Sequence, residues 1–369
     1  MTSKKVLIFI DKISYSGASK IACWLCNGLA EAGICVTLAS HQGLDTARQL
    51  DDRVNCIHID AGTGGRVSRG LRIMAGLRKT VKNGDYDLCI GFLPTECFYM
   101  RLSTAFLNVP MIACERSDPY LERGLMANLG RFFYRFAEGA VFQTEGAEAY
   151  FPESLRKRSV VIPNPAFALD TAVIPYAQRE DSIAYSGRLY IPQKRQDILL
   201  KAFAQVCKTN ATTQLILYGD GPDKERLENL AEELGISERI HFAGRVSNVE
   251  KAVGRSKLLV LSSDYEGIPN VILEALQLGV PVVSTDCSPG GAALLIQEGI
   301  NGFLSKRDNA TDLADRIRQV LDHTELAAQM AAYAPQITQR FREEDILSAW
   351  IQYIETFFTG KTGGEYIEN

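Results

Sequence analysis

The chain has 369 residues, of which 46% are hydrophobic and 23% are charged, and its formal net charge is −4. This length favours two domains, the composition is that of a soluble globular protein, and the negative net charge argues against general nucleic-acid binding. The charge is unevenly distributed along the chain. Residues 1–165 contain 20 Lys and Arg against 16 Asp and Glu, whereas the remainder contains 20 Lys and Arg against 28 Asp and Glu.

The nine cysteines are scattered, and several lie in apolar runs that resemble strands. This usage is typical of reduced, buried cysteine in a cytoplasmic protein. Cys23 and Cys26 form a C-x-x-C pair inside a helical pattern, and no second pair completes a zinc site, so core packing is favoured. The short apolar run at 6–10 predicts a first strand rather than a signal peptide, and no segment is long enough to span a bilayer.

Strand-like runs alternate with helical ones from the N-terminus onwards. Residues 5–10 predict a buried strand, and the apolar period over 17–32 predicts a helix that ends at Gly33. Further strands are predicted at 34–40, 86–92, 110–115 and 139–144, the last preceded by a helix over 123–137. The alternation indicates a parallel sheet covered by helices, so a Rossmann-like domain is predicted at 1–165.

The alternation stops near Pro163, Pro165 and Pro175, and a linker is predicted at 166–181. A second doubly wound domain is predicted at 182–341, with strands at 182–187, 214–221, 239–244, 257–263 and 280–285 and helices at 197–208 and 224–235. Residues 342–359 predict an amphipathic helix that packs back towards the first domain, and 360–369 a flexible tail. The sequence therefore predicts two doubly wound α/β domains that face a central cleft. Ligands are expected to bind beyond the carboxyl ends of the strands.

Two glutamates bracket a turn and the start of an apolar helix after the strand predicted at 257–263. Glu266 lies in the loop, Pro269 suits the first helical position, and Glu274 lies about one turn inside the helix. The helix N-terminus favours an anion such as a phosphate, whereas carboxylates accept hydrogen bonds from neighbouring hydroxyl groups. A nucleotide sugar, with two polyol ends joined by a diphosphate, would satisfy both features. The alternative interpretation needs no ligand. Glu266 would then be an acid favoured by the dipole at the helix N-terminus, and Glu274 would be a surface glutamate.

A basic cluster follows the strand predicted at 182–187. Arg188 lies at the carboxyl end of that strand, and Lys194 lies just before the next helix. These cations could clamp a diphosphate and offset the charge of a leaving nucleoside diphosphate. The alternative is a solvated basic loop. The Gly-Asp-Gly-Pro sequence at 219–222 is interpreted as a turn.

Together these segments resemble glycosyltransferase family 4, of the type found in bacterial capsule, O-antigen and lipid-linked glycan synthesis. The resemblance is carried by SGRL at 186–189 with Lys194, LYGDGP at 217–222, FAGRV at 242–246, DYEGIPNVILEA at 264–275, GVPVVSTD at 279–286 and the run from DCSPGG to EGINGFL at 286–304. It covers most of the second half in order and spacing, whereas the first half matches loosely. It implies the two-domain GT-B fold, with acceptor binding in the N-terminal domain and nucleotide-sugar binding in the C-terminal domain.

The resemblance also implies roles for individual residues. Glu266 would contact the hydroxyl groups of the donor sugar, and Glu274 would hold the ribose. Arg188 and Lys194 would hold the diphosphate. Other contacts are implied for the donor sugar and phosphates at Gly267, Ile268, Pro269 and Asn270, and for the base at Arg245 and Val246. Transfer would retain the anomeric configuration without a metal, and the donor diphosphate would assist deprotonation of the acceptor.

Two loops of the first domain depart from the family pattern. Relatives usually have two adjacent glycines before the first helix, whereas here Ser16 replaces the first and Gly17 matches the second. This weakens the expected approach of the backbone to a donor phosphate, and a plain turn is the alternative. After the strand at 110–115, Glu115 and Arg116 match a family triplet at the cleft. Arg116 cannot act as a base at neutral pH but could bind an acceptor phosphate, unless the loop only caps a helix.

Two further features receive no role in the chemistry. Asp85 and Asp87 match the D-x-D metal motif of the other large glycosyltransferase fold, but they precede a strand, at the end where sites are not expected. The four histidines at 41, 58, 241 and 323 are dispersed, and none is assigned to catalysis.

Segments 66–82 and 123–139 mix basic and large apolar residues, and the first contains six basic residues and no acid. Such surfaces can lie on anionic lipid, or the apolar residues could belong to the core. Together with the resemblance, they favour a peripheral enzyme at the cytoplasmic membrane face with a lipid-linked saccharide acceptor.

The sequence therefore predicts a retaining hexosyltransferase that moves a hexose or N-acetylhexosamine from a UDP-sugar to a saccharide in cell-surface polysaccharide synthesis. The alternative is a catalytically inactive, nucleotide-sugar-binding partner subunit of a glycosyltransferase complex. The altered glycine loop favours that alternative, whereas the intact Glu266, Glu274, Arg188 and Lys194 argue against it. An NAD-dependent dehydrogenase is disfavoured, because the loop after the first strand lacks G-x-G-x-x-G.

Overall fold

The computed structural model describes residues 3–13, 17–43 and 50–359, which form two α/β units. Unit 1 comprises the chain up to Asn164 and again from Glu344, and unit 2 comprises Pro165–Glu343. Each unit has a parallel sheet and its own buried core, so the predicted pair of doubly wound Rossmann-like domains is confirmed. The tail predicted at 360–369 lies outside the described residues.

Unit 1 contains a seven-stranded parallel sheet in the order β3-β2-β1-β4-β5-β6-β7. Its strands are β1 (Lys5–Ile10), β2 (Cys35–Ser40), β3 (Asn55–His58), β4 (Leu88–Phe92), β5 (Met111–Cys114), β6 (Gly139–Phe142) and β7 (Ser159–Val161). β1 is buried from Val6 to Ile10, as expected of a parallel strand covered on both faces. The order of the strands reverses between β1 and β4, so the switch point of this sheet lies beyond their carboxyl ends.

The described helices of the first stretch of unit 1 are α1 (Gly17–Glu31), α2 (Arg66–Gly84), α3 (Pro94–Thr104), α4 (Leu125–Tyr134), α5 (Glu145–Ala149) and α6 (Glu153–Arg156). In α1, Ile21, Leu25 and Leu29 recur every four residues and are buried, which is the period that predicted this helix. The chain leaves the helix at Gly33, whose φ of +81° is left-handed and favours glycine.

Unit 2 contains a six-stranded parallel sheet in the order β10-β9-β8-β11-β12-β13. Its strands are β8 (Glu180–Ser186), β9 (Gln214–Tyr218), β10 (Ile240–Gly244), β11 (Ser256–Leu261), β12 (Val282–Thr285) and β13 (Gly302–Ser305). Its helices are α7 (Ile191–Lys194), α8 (Gln196–Val206), α9 (Lys224–Glu233), α10 (Val249–Gly254), α11 (Asn270–Gln277), α12 (Gly291–Leu295), α13 (Ala310–Leu321) and α14 (Thr324–Ile337). The switch point of this sheet lies between β8 and β11.

The segment predicted as a linker, 166–181, packs on unit 2 instead of standing free. Tyr176 is buried in the core of that unit, and the Arg179 guanidinium donates to the carbonyl of Leu278 at 2.7 Å. β8 begins at Glu180, inside the predicted linker. The second domain therefore begins at the point where the sequence shows only prolines and irregular spacing.

The last helix, α15 (Glu343–Thr359), packs on unit 1. Trp350 and Ile354 are fully buried. The Tyr353 hydroxyl accepts a hydrogen bond from the Ala140 N–H at 3.0 Å and donates one to the Arg158 carbonyl at 2.6 Å. These contacts join the end of the chain to β6 and to the turn before β7.

The sequence patterns do not predict β3, β7 or β13. These strands have three or four residues each, and they lack the continuous burial of β5, β6 and β12, which are equally short but were predicted. β3 is also largely exposed, so it lacks the apolar run of a central strand. Pairing with a neighbouring strand, which depends on tertiary structure, is what makes each of them a strand.

Candidate functional site

The main cluster of predicted site residues lies at the switch point of unit 2. β8 and β11 are neighbours in the sheet, so their carboxyl ends lie side by side. The chain after β8 carries Arg188 and then α7, which ends at Lys194. The chain after β11 carries Glu266. The strand order therefore brings two segments together that are far apart in the sequence.

Lys194 and Glu266 form an ion pair. The Lys194 ammonium contacts Oε1 of Glu266, and the Ser263 hydroxyl donates to the same oxygen at 2.7 Å. The two charged side chains are only 18% and 11% exposed. Such a pair holds both side chains in place, since separating them would leave a charge poorly solvated. The two residues were predicted to contact different parts of a ligand, and neither their mutual contact nor the contribution of Ser263 is visible in the sequence.

Backbone hydrogen bonds hold the Glu266 loop between its neighbours. The N–H of Asp264 donates to the carbonyl of Gln193 at 2.9 Å, and the N–H of Glu266 donates to the carbonyl of Ser288 at 2.9 Å. The Ser262 hydroxyl donates to the carbonyl of Lys194 at 2.8 Å. The loop after β11 is therefore attached on one side to α7 and on the other to the loop after β12.

Arg195 organises the acidic residues around this loop. Its φ is +48°, and its guanidinium bonds Asp264 at 3.0 Å, Asp308 at 2.6 Å and Asp197 at 3.2 Å. Burial alone would lower the pKa of Arg195, but the hydrogen bonds to these three acids outweigh it and raise the pKa above its ordinary value. Arg195 thus positions the loop, a role that the sequence analysis did not assign.

Arg188 is the exposed cation of the cluster. Its guanidinium lies 5.2 Å from the centre of the Tyr190 ring, and it makes no ion pair with any residue that the structure describes. Its backbone carbonyl accepts a hydrogen bond from the Gln196 side chain at 2.8 Å, which fixes the loop without using the charge. The guanidinium therefore remains accessible to an anionic ligand.

The turn at 219–222 supports the Arg188 loop. A Cβ at Gly219 would lie 2.0 Å from the carbonyl oxygen of Gly187, and one at Gly221 would lie 2.1 Å from that of Leu189. Gly219 also has a φ of +137°, a conformation that other residues rarely adopt. The sequence interpretation of a simple turn omitted this contact, because close packing between two loops leaves no local signature.

The start of α11 is packed equally closely. The helix begins at Asn270, one residue later than predicted, and Pro269 precedes it. Ile268 is 6% exposed, and a Cβ at Gly291 would lie 1.7 Å from the carbonyl oxygen of Gly267. The backbone from 267 to 270 is therefore held rigidly at the helix N-terminus, where an anion would be favoured.

Glu274, Arg245 and Val246 lie on other elements of unit 2. Glu274 is half-buried in the second turn of α11, on a helix whose opposite face is core. Arg245 and Val246 are exposed directly after β10, the outermost strand on that side of the sheet. Their predicted contacts with the ribose and the base stay predictions.

Three of the predicted site residues, Gly17, Glu115 and Arg116, lie in unit 1. Gly17 is the first residue of α1, whereas Ser16 lies outside the described residues. Glu115 is fully buried, and the Arg131 guanidinium bonds both of its oxygens, at 2.7 and 3.3 Å. Burial raises the pKa of Glu115 to about 7, against the opposing effect of Arg131. Glu115 is thus paired with Arg131 and has no exposed surface in this structure, and its predicted contact with substrate stays a prediction.

Arg116 is also buried, with 7% of its surface exposed. It donates to Oδ1 of Asn164 and lies 5.4 Å from the centre of the Phe92 ring. Burial lowers its pKa to about 10, and its Nε and Nη1 have no hydrogen-bond partner among the residues described. The predicted contact with an acceptor phosphate is not tested by these positions.

Asp85 and Asp87 have structural positions. Asp85 ends α2 with a φ of +53°, and Asp87 pairs with Lys4 at 2.8 Å. Within the described part of the chain, no group of three or more His, Cys, Asp or Glu residues is arranged to hold a metal ion. In the same part of the chain, no helix is both long and apolar enough to cross a bilayer.

Both halves of the chain match known protein families. Residues 171–337 match the family described as "Glycosyl transferases group 1", and residues 16–165 match the "Glycosyl transferase 4-like domain". An uncharacterized glycosyltransferase of Haemophilus influenzae is 26% identical over 94% of this chain and 99% of that protein.

A second relative has a defined activity in its name. The GalNAc-alpha-(1->4)-GalNAc-alpha-(1->3)-diNAcBac-PP-undecaprenol alpha-1,4-N-acetyl-D-galactosaminyltransferase of Campylobacter jejuni is 26% identical over 95% of this chain and 98% of its own length. Among solved structures, HepE of Anabaena in complex with UDP and glucose has a TM-score of 0.81 at 20% identity, covering 96% of this chain and 100% of HepE. The structural likeness shows that the fold is shared.

Proposed function

Because the chain belongs to family 4 of the glycosyltransferases and has the GT-B fold, we propose that it is a hexosyltransferase that retains the anomeric configuration. It would move a hexose or an N-acetylhexosamine from a UDP-sugar to a saccharide acceptor. The observation that carries the proposal is the unit 2 cluster, where Glu266 is fixed by Lys194 and Ser263 beside the exposed Arg188 loop.

The choice of UDP and of an acetylated or neutral hexose is supported by the relatives. HepE has been solved with UDP and glucose, and the Campylobacter jejuni relative is named as an N-acetylgalactosaminyltransferase acting on an undecaprenol-linked saccharide. We propose the same two classes for this chain, a UDP-sugar donor and a lipid-linked saccharide acceptor, in bacterial cell-surface glycan synthesis.

The cluster suits a reaction in which a nucleoside diphosphate leaves. Arg188 would bind the diphosphate through its accessible guanidinium, and Lys194 would add a second positive charge. Lys194 contacts Glu266, which supports placing this cation between the phosphates and the donor sugar. Glu266 would then accept hydrogen bonds from the sugar hydroxyl groups. We propose that these two cations perform the charge neutralisation that a metal ion performs elsewhere.

Thermal unfolding in the presence of nucleotides tests the donor site directly. The wild-type midpoint should rise with UDP and with one or two UDP-sugars, because a ligand at about 100 times its Kd adds about 2.7 kcal/mol to the free energy of unfolding. Glu274→Ala should lose most of this shift if Glu274 holds the ribose. Glu225→Ala, an exposed acid in the first turn of α9, is the matched control and should respond like wild type.

The other results of this experiment are also informative. Stabilisation by a GDP- or ADP-sugar instead would contradict the UDP assignment while keeping a nucleotide-sugar site. Absence of a shift with every nucleotide would contradict the proposed function as a whole. UDP binding without transfer to any acceptor would favour the inactive partner subunit.

Unit 1 carries the features of a membrane-facing surface. Val67 and Leu71 on α2 are 78% and 59% exposed, and Leu125 at the start of α4 is 78% exposed. Arg66 and Arg69 lie in the first two turns of α2, as Val67 and Leu71 do. Other apolar residues of α2 are buried, so the core alternative holds for part of this helix only. We propose that the exposed ends of α2 and α4 contact anionic lipid at the cytoplasmic face.

Co-sedimentation with vesicles measures this contact. The wild-type protein should sediment with vesicles that contain phosphatidylglycerol, and less so with pure phosphatidylcholine or in high salt. The double variant Leu71→Glu with Leu125→Glu should lose most of the bound fraction. Val173→Glu, which changes an apolar residue of unit 2 that is 54% exposed, is the control. Equal sedimentation of the double variant and the control would exclude this surface as the membrane contact.

A further inference from the structure

A fully buried glutamine lies beneath the Arg188 loop of unit 2. Gln196 is the first residue of α8, and its exposed fraction is 0%. Glutamine is found mostly at protein surfaces, and a buried polar side chain normally has hydrogen-bond partners. The burial of Gln196 therefore raises the question of which contacts its amide makes that an apolar side chain could not make.

The side-chain amide of Gln196 joins β8 to the loop that follows it. Nε2 donates to the hydroxyl oxygen of Tyr185 at 2.8 Å and to the backbone carbonyl of Arg188 at 2.8 Å. A carbonyl oxygen only accepts hydrogen bonds, so the amino group of the amide must face Arg188. Oε1 of Gln196 has no hydrogen-bond partner in the part of the chain that the structure describes, so the amide lowers stability on that side. What the buried amide provides is therefore its two N–H contacts.

Tyr185, the other partner of the amide, lies near the end of β8 under the same loop. Its side chain is fully buried, and burial together with the charge of Glu266 raises the pKa of its phenol group above the ordinary value. A Cβ at Gly187 would lie 2.9 Å from the Tyr185 hydroxyl oxygen, so the chain passes directly over this group before it reaches Arg188. Tyr185 and Gln196 therefore support the unit 2 cluster from the side of the core.

The hydrogen bond from Gln196 fixes one end of the peptide group that follows Arg188. The carbonyl of this peptide group accepts from Gln196, and its N–H, which belongs to Leu189, donates to the carbonyl of Asp220 at 3.1 Å. A peptide group is planar, so contacts at both ends fix its orientation. The same contacts fix the direction in which the Cα–Cβ bond of Arg188 leaves the backbone. Loss of the Gln196 amide would release one of the two ends.

We propose that Gln196 is a positioning residue for the donor diphosphate and that it acts through Arg188. The inference rests on the proposed function, in which the guanidinium of Arg188 binds that diphosphate. Gln196 has no exposed surface with which to contact the ligand itself. Its amide holds the backbone of Arg188 so that the guanidinium is directed before the ligand binds, which reduces the entropy lost when a long side chain is ordered.

The UDP affinity of single and double variants, measured by calorimetry, tests this role. Gln196→Met keeps an unbranched side chain of similar length and removes both N–H donors. It should weaken UDP binding roughly 5- to 20-fold, which is less than the effect of Arg188→Ala, because the charge of Arg188 remains. In an Arg188→Ala background, Gln196→Met should weaken UDP binding by less than about twofold, since effects that act through one side chain are not additive.

Two further variants separate positioning from general stability. Gln277→Met removes an amide that donates to the Phe167 carbonyl at 2.9 Å, at the end of α11. It should lower the thermal midpoint, whereas its UDP affinity should stay within about twofold of wild type. Tyr185→Phe removes a single hydroxyl group and is the second test if Gln196→Met does not fold. It should weaken UDP binding roughly 2- to 5-fold, again only while Arg188 is present.

The results distinguish this inference from the donor assignment. Wild-type UDP affinity in a folded Gln196→Met protein, or in Tyr185→Phe if the first variant does not fold, would overturn the inference. An equal loss of affinity with and without Arg188 would also overturn it. In both cases weaker UDP binding by Arg188→Ala alone would leave the donor assignment standing. Absence of UDP binding to the wild-type protein would overturn the proposed function and this inference together.

Discussion

Replacement of Glu266 by glutamine or alanine is expected to reduce the kcat of sugar transfer by at least about 10²- to 10³-fold, the range found when one preorganised polar contact of a transition state is removed. Glu266 is held by Lys194 and Ser263 in a nearly buried position, so its charge and orientation are set before the donor binds. Glutamine keeps the shape but removes the charge that attracts Lys194. The rate is measured as UDP released in the presence of acceptor.

The two substitutions at Glu266 should differ in stability. Alanine leaves the ammonium of Lys194 without its acid in a position only 18% exposed, so the thermal midpoint should fall more than in the glutamine variant. Glu225→Ala should keep both the rate and the midpoint of wild type. A Glu266→Gln enzyme that folds normally and turns over at a near-normal rate would refute the assigned role.

Replacement of Arg188 by alanine is expected to weaken UDP binding roughly 10- to 100-fold and to lower kcat as well. A hydrogen bond to a charged group contributes about 1.5–3 kcal/mol, and the exposed guanidinium makes no ion pair within the described chain that would compete for its charge. Arg188→Lys should recover only part of the loss, since an ammonium cannot form the paired contact of a guanidinium. Calorimetry with UDP gives the affinity, and UDP release gives the rate.

The fold should be unaffected by this substitution, since the side chain of Arg188 is exposed and only its backbone is bonded to Gln196. Arg226→Ala, an exposed cation on α9, is the control and should bind UDP normally. The wild-type rate should also persist in EDTA, because Arg188 and Lys194 are proposed to neutralise the leaving diphosphate. Full UDP affinity in Arg188→Ala, or loss of the wild-type rate in EDTA, would contradict that assignment.

Much of the fold could be predicted because parallel strands covered on both faces need continuous apolar runs. β1 and β11 have such runs, and α1 has a clear helical period. β3, β7 and β13 are short and only partly buried, so pairing rather than pattern defines them. The packing of segment 166–181 on unit 2 could not be predicted for a related reason, since it depends on single contacts such as that of Arg179 with Leu278.

The site was only partly predictable for the same physical reason. Arg188, Lys194 and Glu266 were predicted as site residues because charged residues that follow strands stand out in the sequence. Their contact was not found, since Lys194 and Glu266 are 72 residues apart and meet only because β8 lies next to β11. Exposure is equally a tertiary property, so the sequence did not show that Glu115 is buried against Arg131.

The sequence by itself determined the two α/β units, the family and the types of side chain at the carboxyl ends of the strands, because periodicity and local motifs act over short stretches of chain. Tertiary structure decided which of these side chains meet. Strand order placed Lys194 against Glu266 in unit 2, and in unit 1 the fold brought Nε2 of His41 to 3.5 Å from Oε1 of Glu96. His41 has no distinguishing neighbours in the sequence, so its burial beside Glu96 is visible only in the tertiary structure.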